Sequence, residues 1–158
     1  MDSPVVSRVR LPAVYGARQD SPLLDWPSVE QRLTAAPRYW ISTADPGGVP
    51  ISRPVDGNWI RGALYFGGDP KARWRRNLAA NPQACVTLEN AESPIILEGS
   101  VETLMPDEEL AEILAKSAQA KYGWGSVEWF RQETCAFRPR KVMTWRSVFE
   151  HATRFTFD

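Results

Sequence analysis

The sequence predicts a mainly β (α+β) domain, an antiparallel Greek-key barrel with peripheral helices, and three observations predict it. Short runs of β-branched and aromatic residues recur along the chain, separated by turns rich in Gly, Pro or Asn. Helical spacing is confined to a few segments between them. Neither an alternating strand-helix-strand pattern nor an internal repeat accompanies these runs, which argues against a doubly wound parallel sheet.

Met1 to Leu24 contains Pro4, Pro12 and Pro22 with scattered valines and no sustained period. It reads as an N-terminal arm that either frays or packs across a partner, followed by a single domain over residues 25–158. Asp25 or Ser28 caps a helix running to about Ala36, with Val29 and Leu33 as its inward stripe and Pro37 as its stop. Tyr39 to Thr43 and Pro50 to Val55 flank Pro46-Gly47-Gly48 as a hairpin, and Trp59 to Phe66 adds a third strand after a turn at Asp56-Gly57-Asn58. Ala84 to Glu89 alternates, placing Ala84, Val86 and Leu88 on one side, which is strand periodicity. Ile95 to Leu104 is a further strand, with Gly99 at a bend or bulge. Pro106-Asp107-Glu108-Glu109 opens a helix whose Leu110, Ile113 and Leu114 recur at helical spacing and which ends near Tyr122-Gly123. Trp124 to Gln132 fits either a short helix or a loop. Ala136-Phe137, Val142 to Trp145 and Arg154 to Phe157 supply short terminal strands.

A chain of 158 residues suits one domain with a single substantial core. Its 19 Lys and Arg balance 19 Asp and Glu, so no global field attracts nucleic acid or an anionic membrane. The 7 tryptophans favour wide apolar contacts, whether in a core, a cofactor wall or a subunit interface. Cys85 and Cys135 lie in separate apolar segments without metal-ligand spacing and read as reduced, buried thiols. The N-terminus lacks the apolar stretch of a signal peptide and no run is long enough to span a bilayer, so the expected location is the cytoplasm.

The stretch from Ile51 to Pro82 concentrates the chemistry. It reads as a β-hairpin followed by a helix, with Asp69 as N-cap and Pro70 at the first helical position. Lys71, Arg73, Arg75 and Arg76 follow at once, although the macrodipole favours cations at the other end of a helix by about 0.3–1 kcal/mol each. A bound anion would remove that conflict, whereas the plainer reading is a solvated basic face. Helical geometry puts Trp74 and Leu78 on one face and Arg73, Arg76 and Asn77 on the opposite, polar one.

From Trp26 onward the order of motifs resembles a known family. A short helix precedes Tyr39-Trp40-Ile41-Ser42-Thr43, the Pro46-Gly47-Gly48 turn and Pro50 to Val55; then come Leu64-Tyr65-Phe66, Arg76-Asn77-Leu78 to Asn81-Pro82, Leu97-Glu98-Gly99, Lys121-Tyr122 and Ala152 to Phe155. The chain is similar to the pyridoxamine 5'-phosphate oxidase-like split-barrel family, whose members include flavin- and deazaflavin-dependent reductases. The resemblance implies a split barrel and an oxidoreductase that binds FMN or a deazaflavin at a homodimer interface and transfers hydride to or from a small organic substrate. It places the flavin-lining Arg-x-Val strand of such proteins on Arg53, Pro54 and Val55. The Ser-Arg-Lys triplet that holds the phosphate falls on Ala72-Arg73-Trp74, of which only the arginine is kept. A threonine four residues before the triplet is replaced by Gly68. Lys71, Arg75 or Arg76 stand in for the missing grip, and Gly67 and Gly68 let backbone amides approach an anion. With Trp74 and Asn77, these residues complete the candidate cofactor site.

Other chemistry is poorly supported. His151, the single histidine, has no Ser or Cys motif near it and reads as a surface or interface residue. No nucleophile elbow, phosphate-binding loop, dinucleotide fingerprint or metal-ligand cluster is present. Hydride transfer tolerates this, because the cofactor carries the reacting atom and the protein binds, orients and shields it. Lys121-Tyr122 and Trp145 lie where similar proteins approach the cofactor of a neighbouring subunit. The C-terminal RFTFD lacks the Arg-x-His substrate motif of true pyridoxamine phosphate oxidases, which argues against the vitamin B6 reaction. A non-catalytic split barrel that stores a cofactor or holds haem is the second reading. Nucleic-acid binding through Lys71 to Arg76 is the weakest, one basic turn on a neutral protein being a small footprint.

Overall fold

A computed structural model describes residues 3–147 and 150–158. Met1 and Asp2 of the arm lie outside the described residues. Among the described residues nine strands form one antiparallel sheet, with four α-helices packed around it. The strands are β1 (Val5–Arg8), β2 (Tyr39–Ala44), β3 (Pro50–Val55), β4 (Asn58–Ile60), β5 (Ala63–Phe66), β6 (Gln83–Thr87), β7 (Ile95–Leu104), β8 (Thr134–Thr144) and β9 (Thr153–Thr156). The helices are α1 (Trp26–Ala35), α2 (Arg73–Ala80), α3 (Glu108–Tyr122) and α4 (Val127–Phe130).

The main path through the sheet runs β1-β9-β8-β7-β6-β2-β3, with β4 and β5 joined to it through β8. Along one edge β8 pairs with the whole of β7. Its other edge is shared: residues 135–137 pair with β5, and residues 141–144 pair with β9. That fork lets the sheet wrap one core, in which Tyr39, Ile41, Leu97, Phe137, Val142 and Phe155 are fully buried. The mainly β, α+β class expected from the sequence is therefore observed.

Four local expectations are corrected. The segment Trp59 to Phe66 is not one strand; it is the β4–β5 hairpin, turned at Arg61 (φ 50) and Gly62 (φ 77). Two consecutive positive φ values match the right-handed twist of the flanking strands, so this two-residue turn makes the hairpin. The Asp56-Gly57-Asn58 turn instead carries the chain from the β3 edge to β4 without pairing them. The strands expected at Ala136-Phe137 and Val142 to Trp145 are one continuous strand, β8, in which Pro139 sits opposite Gly99. The register shift at Glu98 and Gly99, a bulge foreseen from the glycine, accommodates a proline that has no N–H to give to the ladder.

The third correction concerns α2, which begins at Arg73 rather than at Pro70, with Ala72 as an N-cap that makes no side-chain bond. Asp69 uses its side chain and carbonyl in the preceding turn, accepting from the Lys71 and Ala72 amides at 2.8 and 2.9 Å. An Asx turn competes with helix capping for the same carboxylate, and here the turn prevails. The fourth correction is Asn77: it lies on the buried face with Trp74 and Leu78, and its Nδ2 donates to Thr43 Oγ1 at 3.1 Å.

The arm is tied down. Val5–Arg8 pairs with β9, Leu24 N donates to Thr153 Oγ1 at 2.9 Å, and His151 N donates to Ser21 Oγ at 2.9 Å. Asp25 caps α1 by accepting from Ser28 N at 2.9 Å, and Val29 and Leu33 are buried as the periodicity requires. No described helix is long and apolar enough to cross a membrane.

Candidate functional site

A cavity of about 640 Å³ opens between the end of β3, the end of β5 and the α3–α4 segment. Of the residues singled out in the sequence, Pro54, Val55, Gly67, Gly68 and Trp74 line it. Arg53, Lys71, Arg73, Arg76 and Asn77 do not. The first five converge because β3 and β5 end side by side at one rim of the sheet, and α2 folds back against that rim through Trp74, whose indole lies 5.5 Å from Phe66.

The cations of α2 are engaged elsewhere. Arg73 pairs with Asp45 at 3.2 Å, and the Asp45 carboxyl is held below its usual range, first by the Val49 amide and then by Arg73. Arg75, whose side chain is only 9% exposed, lies over the Trp74 ring and donates to Glu133 and the Cys135 thiol. Arg76 donates to the Lys71 carbonyl at 3.2 Å. Arg53, on the exposed edge strand, donates to Ser52 O at 2.8 Å. The crowding of positive charge at the start of α2 is thus relieved by carboxylates and carbonyls of the same chain. Lys71, Arg73 and Arg76 remain exposed on the α2 side of the molecule.

Gly68 and Trp74 are coupled. A Cβ on Gly68 would stand 2.6 Å from Cζ2 of Trp74, closer than two carbons can approach. Two departures from the family pattern, glycine for threonine and tryptophan for lysine, are therefore one change: the indole fills the space that a side chain at position 68 would need. The sequence showed both departures but not their connection, which depends on α2 folding back.

Of the opposite wall the sequence reading named only Lys121-Tyr122, for the cofactor of a neighbouring subunit, and missed Trp124, Trp129 and Phe130. Tyr122 hydroxyl, with one proton to give, lies 2.7 Å from Pro37 O and 2.9 Å from Gly57 O and accepts from Gly57 N at 2.9 Å, pinning the end of α3 to the β3–β4 connection. Lys121 Nζ donates to Ala36 O at 2.9 Å, Gly57 O at 3.0 Å and Tyr39 hydroxyl at 3.2 Å. Burial pushes the Lys121 ammonium down to about 8, against the opposing pull of Asp56, and raises the Tyr39 and Tyr122 phenols. Both residues therefore bond within their own chain, and Tyr122 lines its own chain's cavity. Trp145 likewise meets its own chain, its carbonyl accepting from Ser93 Oγ at 3.1 Å. The Cys85 and Cys135 thiols are pushed up by burial, which disfavours the reactive thiolate. Among the described residues no cluster of His, Cys, Asp and Glu is arranged to hold a metal ion.

The sequence pattern described as "Pyridoxamine 5'-phosphate oxidase" matches residues 26–146. Among solved structures, a conserved hypothetical protein of Mycobacterium tuberculosis is similar at a TM-score of 0.68 and 16% identity, covering 82% of this chain and 88% of its own. A heme binding protein of Mycobacterium smegmatis gives 0.58 and 18%, with 75% and 52% covered. A pyridoxamine 5'-phosphate oxidase-related, FMN binding protein of Nostoc punctiforme gives 0.51 and 16%, with 73% and 76% covered. At such identities the likeness is one of fold, the split barrel. No curated protein sequence matches the chain significantly. Since the matched pattern takes in everything from α1 through β8, including the cavity and its rim, the chain belongs to the pyridoxamine 5'-phosphate oxidase family.

Proposed function

We propose that the protein is an oxidoreductase that binds FMN or a deazaflavin and passes hydride to or from a small organic substrate. The observation that carries this reading is the convergence of Pro54, Val55, Gly67, Gly68 and Trp74 on one cavity. The two ends of such a cofactor meet different surroundings. A flat ring system fits the aromatic and β3 walls, whereas the phosphate does not fit inside, because no Lys, Arg or His lines the cavity. The phosphate therefore belongs outside, on the exposed Lys71, Arg73 and Arg76, with Arg73 leaving Asp45 to meet it.

A flavin or deazaflavin, when bound, supplies the hydride-carrying atom. The chain's own part is to wall the ring with Val55 and Pro54, offer the Gly67 and Gly68 amides, and keep water out with the tryptophans of the α3–α4 segment. A homodimer accompanies this reading, supported by Trp40, which stands 42% exposed on β2 and which a second subunit would cover.

The test is a visible spectrum of the purified protein followed by titration with each cofactor. Saturable binding of one, weakened at least about tenfold when Lys71, Arg73 and Arg76 are all changed to Ala, is the expected outcome, and binding of neither ends the proposal. A second reading, a carrier without turnover, is favoured by Trp74 standing where the family's phosphate-gripping lysine is expected. Reduction of the bound cofactor by NAD(P)H separates enzyme from carrier.

A further inference from the structure

The α3–α4 wall of the cavity has a chemistry that phosphate binding does not explain. Tyr65, Phe66, Trp74, Tyr122, Trp124, Trp129 and Phe130 face the same space. Asp56, Asp69 and Glu133 line it too, and its lining contains no basic side chain. Trp124 stacks on Tyr122 at 5.6 Å and 23°, and meets Trp129 edge-on at 6.2 Å and 76°. Two indoles set nearly at right angles make an aromatic corner, with one face of Trp124 taken up by Tyr122, and a ring face attracts cations.

The corner is built into the backbone. Gly123 (φ 72) ends α3 in the left-handed region and Gly125 (φ 120) reverses the chain, so Trp124 is held out between two residues in conformations that other side chains rarely adopt. Gly125 also packs close, since a Cβ there would stand 3.0 Å from Ala118 Cβ. Trp124 and Trp129 nevertheless remain 43% and 60% exposed, so neither ring is there to fill the core.

Charge selects among ligands that such a corner accepts. Asp56 is paired with Arg38 at 3.3 Å and Glu133 with Arg75, and both arginines lie outside the lining. Asp69 makes no ion pair among the described residues; its carboxylate accepts only from the Lys71 amide. Asp69 thus brings to a cavity lined by aromatic rings one carboxylate that makes no ion pair among the described residues, which suits one positive charge on an apolar body.

We infer that this cavity is a binding site for a small organic monocation, an alkylated ammonium or comparable group, with Trp124 and Trp129 as its aromatic corner and Asp69, on the β5–α2 side, as its counter-charge. The inference does not rest on the cofactor reading, but the two share the aromatic walls of one cavity, so a bound cofactor ring and the cation would compete for it.

The experiment measures binding of choline and of benzyltrimethylammonium to the full-length protein by calorimetry and by tryptophan fluorescence. It is run with and without added FMN, so that failure here and failure of the cofactor titration are separately visible. The neutral isostere 3,3-dimethylbutan-1-ol and the anion benzoate are the controls. Saturable binding of the cations is expected, at least about tenfold tighter than that of the neutral isostere. Binding should weaken about tenfold in a Trp124→Leu/Trp129→Leu variant. It should weaken severalfold in Asp69→Asn, which keeps the oxygen that accepts from Lys71 N. Equal binding of the alcohol or of benzoate, cation binding unchanged in the folded variants, or no saturable binding would each overturn the inference. So would rings shielded by a second copy of the chain, seen as fluorescence that depends on protein concentration and not on the cation.

Discussion

Gly68 and Trp74 fix how far this chain departs from its family. Gly68→Thr alone forces its Cβ into the indole and should destabilise the protein, whereas Gly68→Thr with Trp74→Lys removes the obstruction and rebuilds the side-chain grip. A double-mutant cycle in urea is expected to give a coupling of about 1–3 kcal/mol, and the double variant should bind FMN more tightly than the wild type. Gly99 is a harder constraint, because a Cβ there would stand 2.0 Å from the Arg138 carbonyl oxygen, which is backbone and cannot turn aside. Gly99→Ala should cost about 3 kcal/mol, read as a lower urea midpoint with an unchanged slope. Lys121 makes the pH dependence specific. Its folded value of about 8 lies below the ordinary 10.5, so between these values the unfolded chain binds a proton that the native state has released. Stability from this group is present above pH 10.5 and is lost as the pH falls through 8. Lys121→Met should be less stable overall, by about 1–3 kcal/mol, because the Ala36 and Gly57 carbonyls lose a donor. Urea melts across pH 8–10.5 should also show the wild type gaining on the variant as pH rises.

At the scale of elements, helix ends divide into those the sequence announces and those it does not. Asp25 and Asp107 each sit just before an apolar periodic segment and each accepts from an amide three residues on, at 2.9 and 2.8 Å. Asp107→Ala should destabilise by about 1 kcal/mol in chemical denaturation, since it leaves an α3 amide without its acceptor. Asp69 looked the same in sequence, yet it closes a turn and α2 starts later, because the local competition between cap and Asx turn is decided by where the following residues pack. Helical spacing in α3 picked out Leu114 correctly, but much of the buried face is Ala111, Ala115 and Ala118, small residues that allow close packing and that a search for large apolar groups passes over. The Arg61-Gly62 turn was also passed over, since arginine is an unusual residue at positive φ and the apolar runs on either side join without a visible gap.

For the whole molecule, the proposed homodimer predicts a mass near twice 17.8 kDa by light scattering at micromolar concentration, and a monomer there would contradict it. The sequence by itself determined the mainly β class, most of the strands and their alternation, the bulge at Gly99, and the family. These follow from local periodicity and from motif order, both of which are written along one dimension. It also marked part of the cavity lining: Pro54, Val55, Gly67, Gly68 and Trp74. Only the tertiary structure decided that Arg73 and Arg75 of α2 are paired within the chain, that Asn77 is buried against Thr43, and that β8 runs unbroken and divides one edge between β5 and β9. It alone brought Tyr122, Trp124 and Trp129 across from α3 and α4 to face β5. Those facts depend on contacts between residues far apart in the chain, 65 positions in the Gly57–Tyr122 bond, and no local pattern in a single chain encodes which distant side chain will arrive.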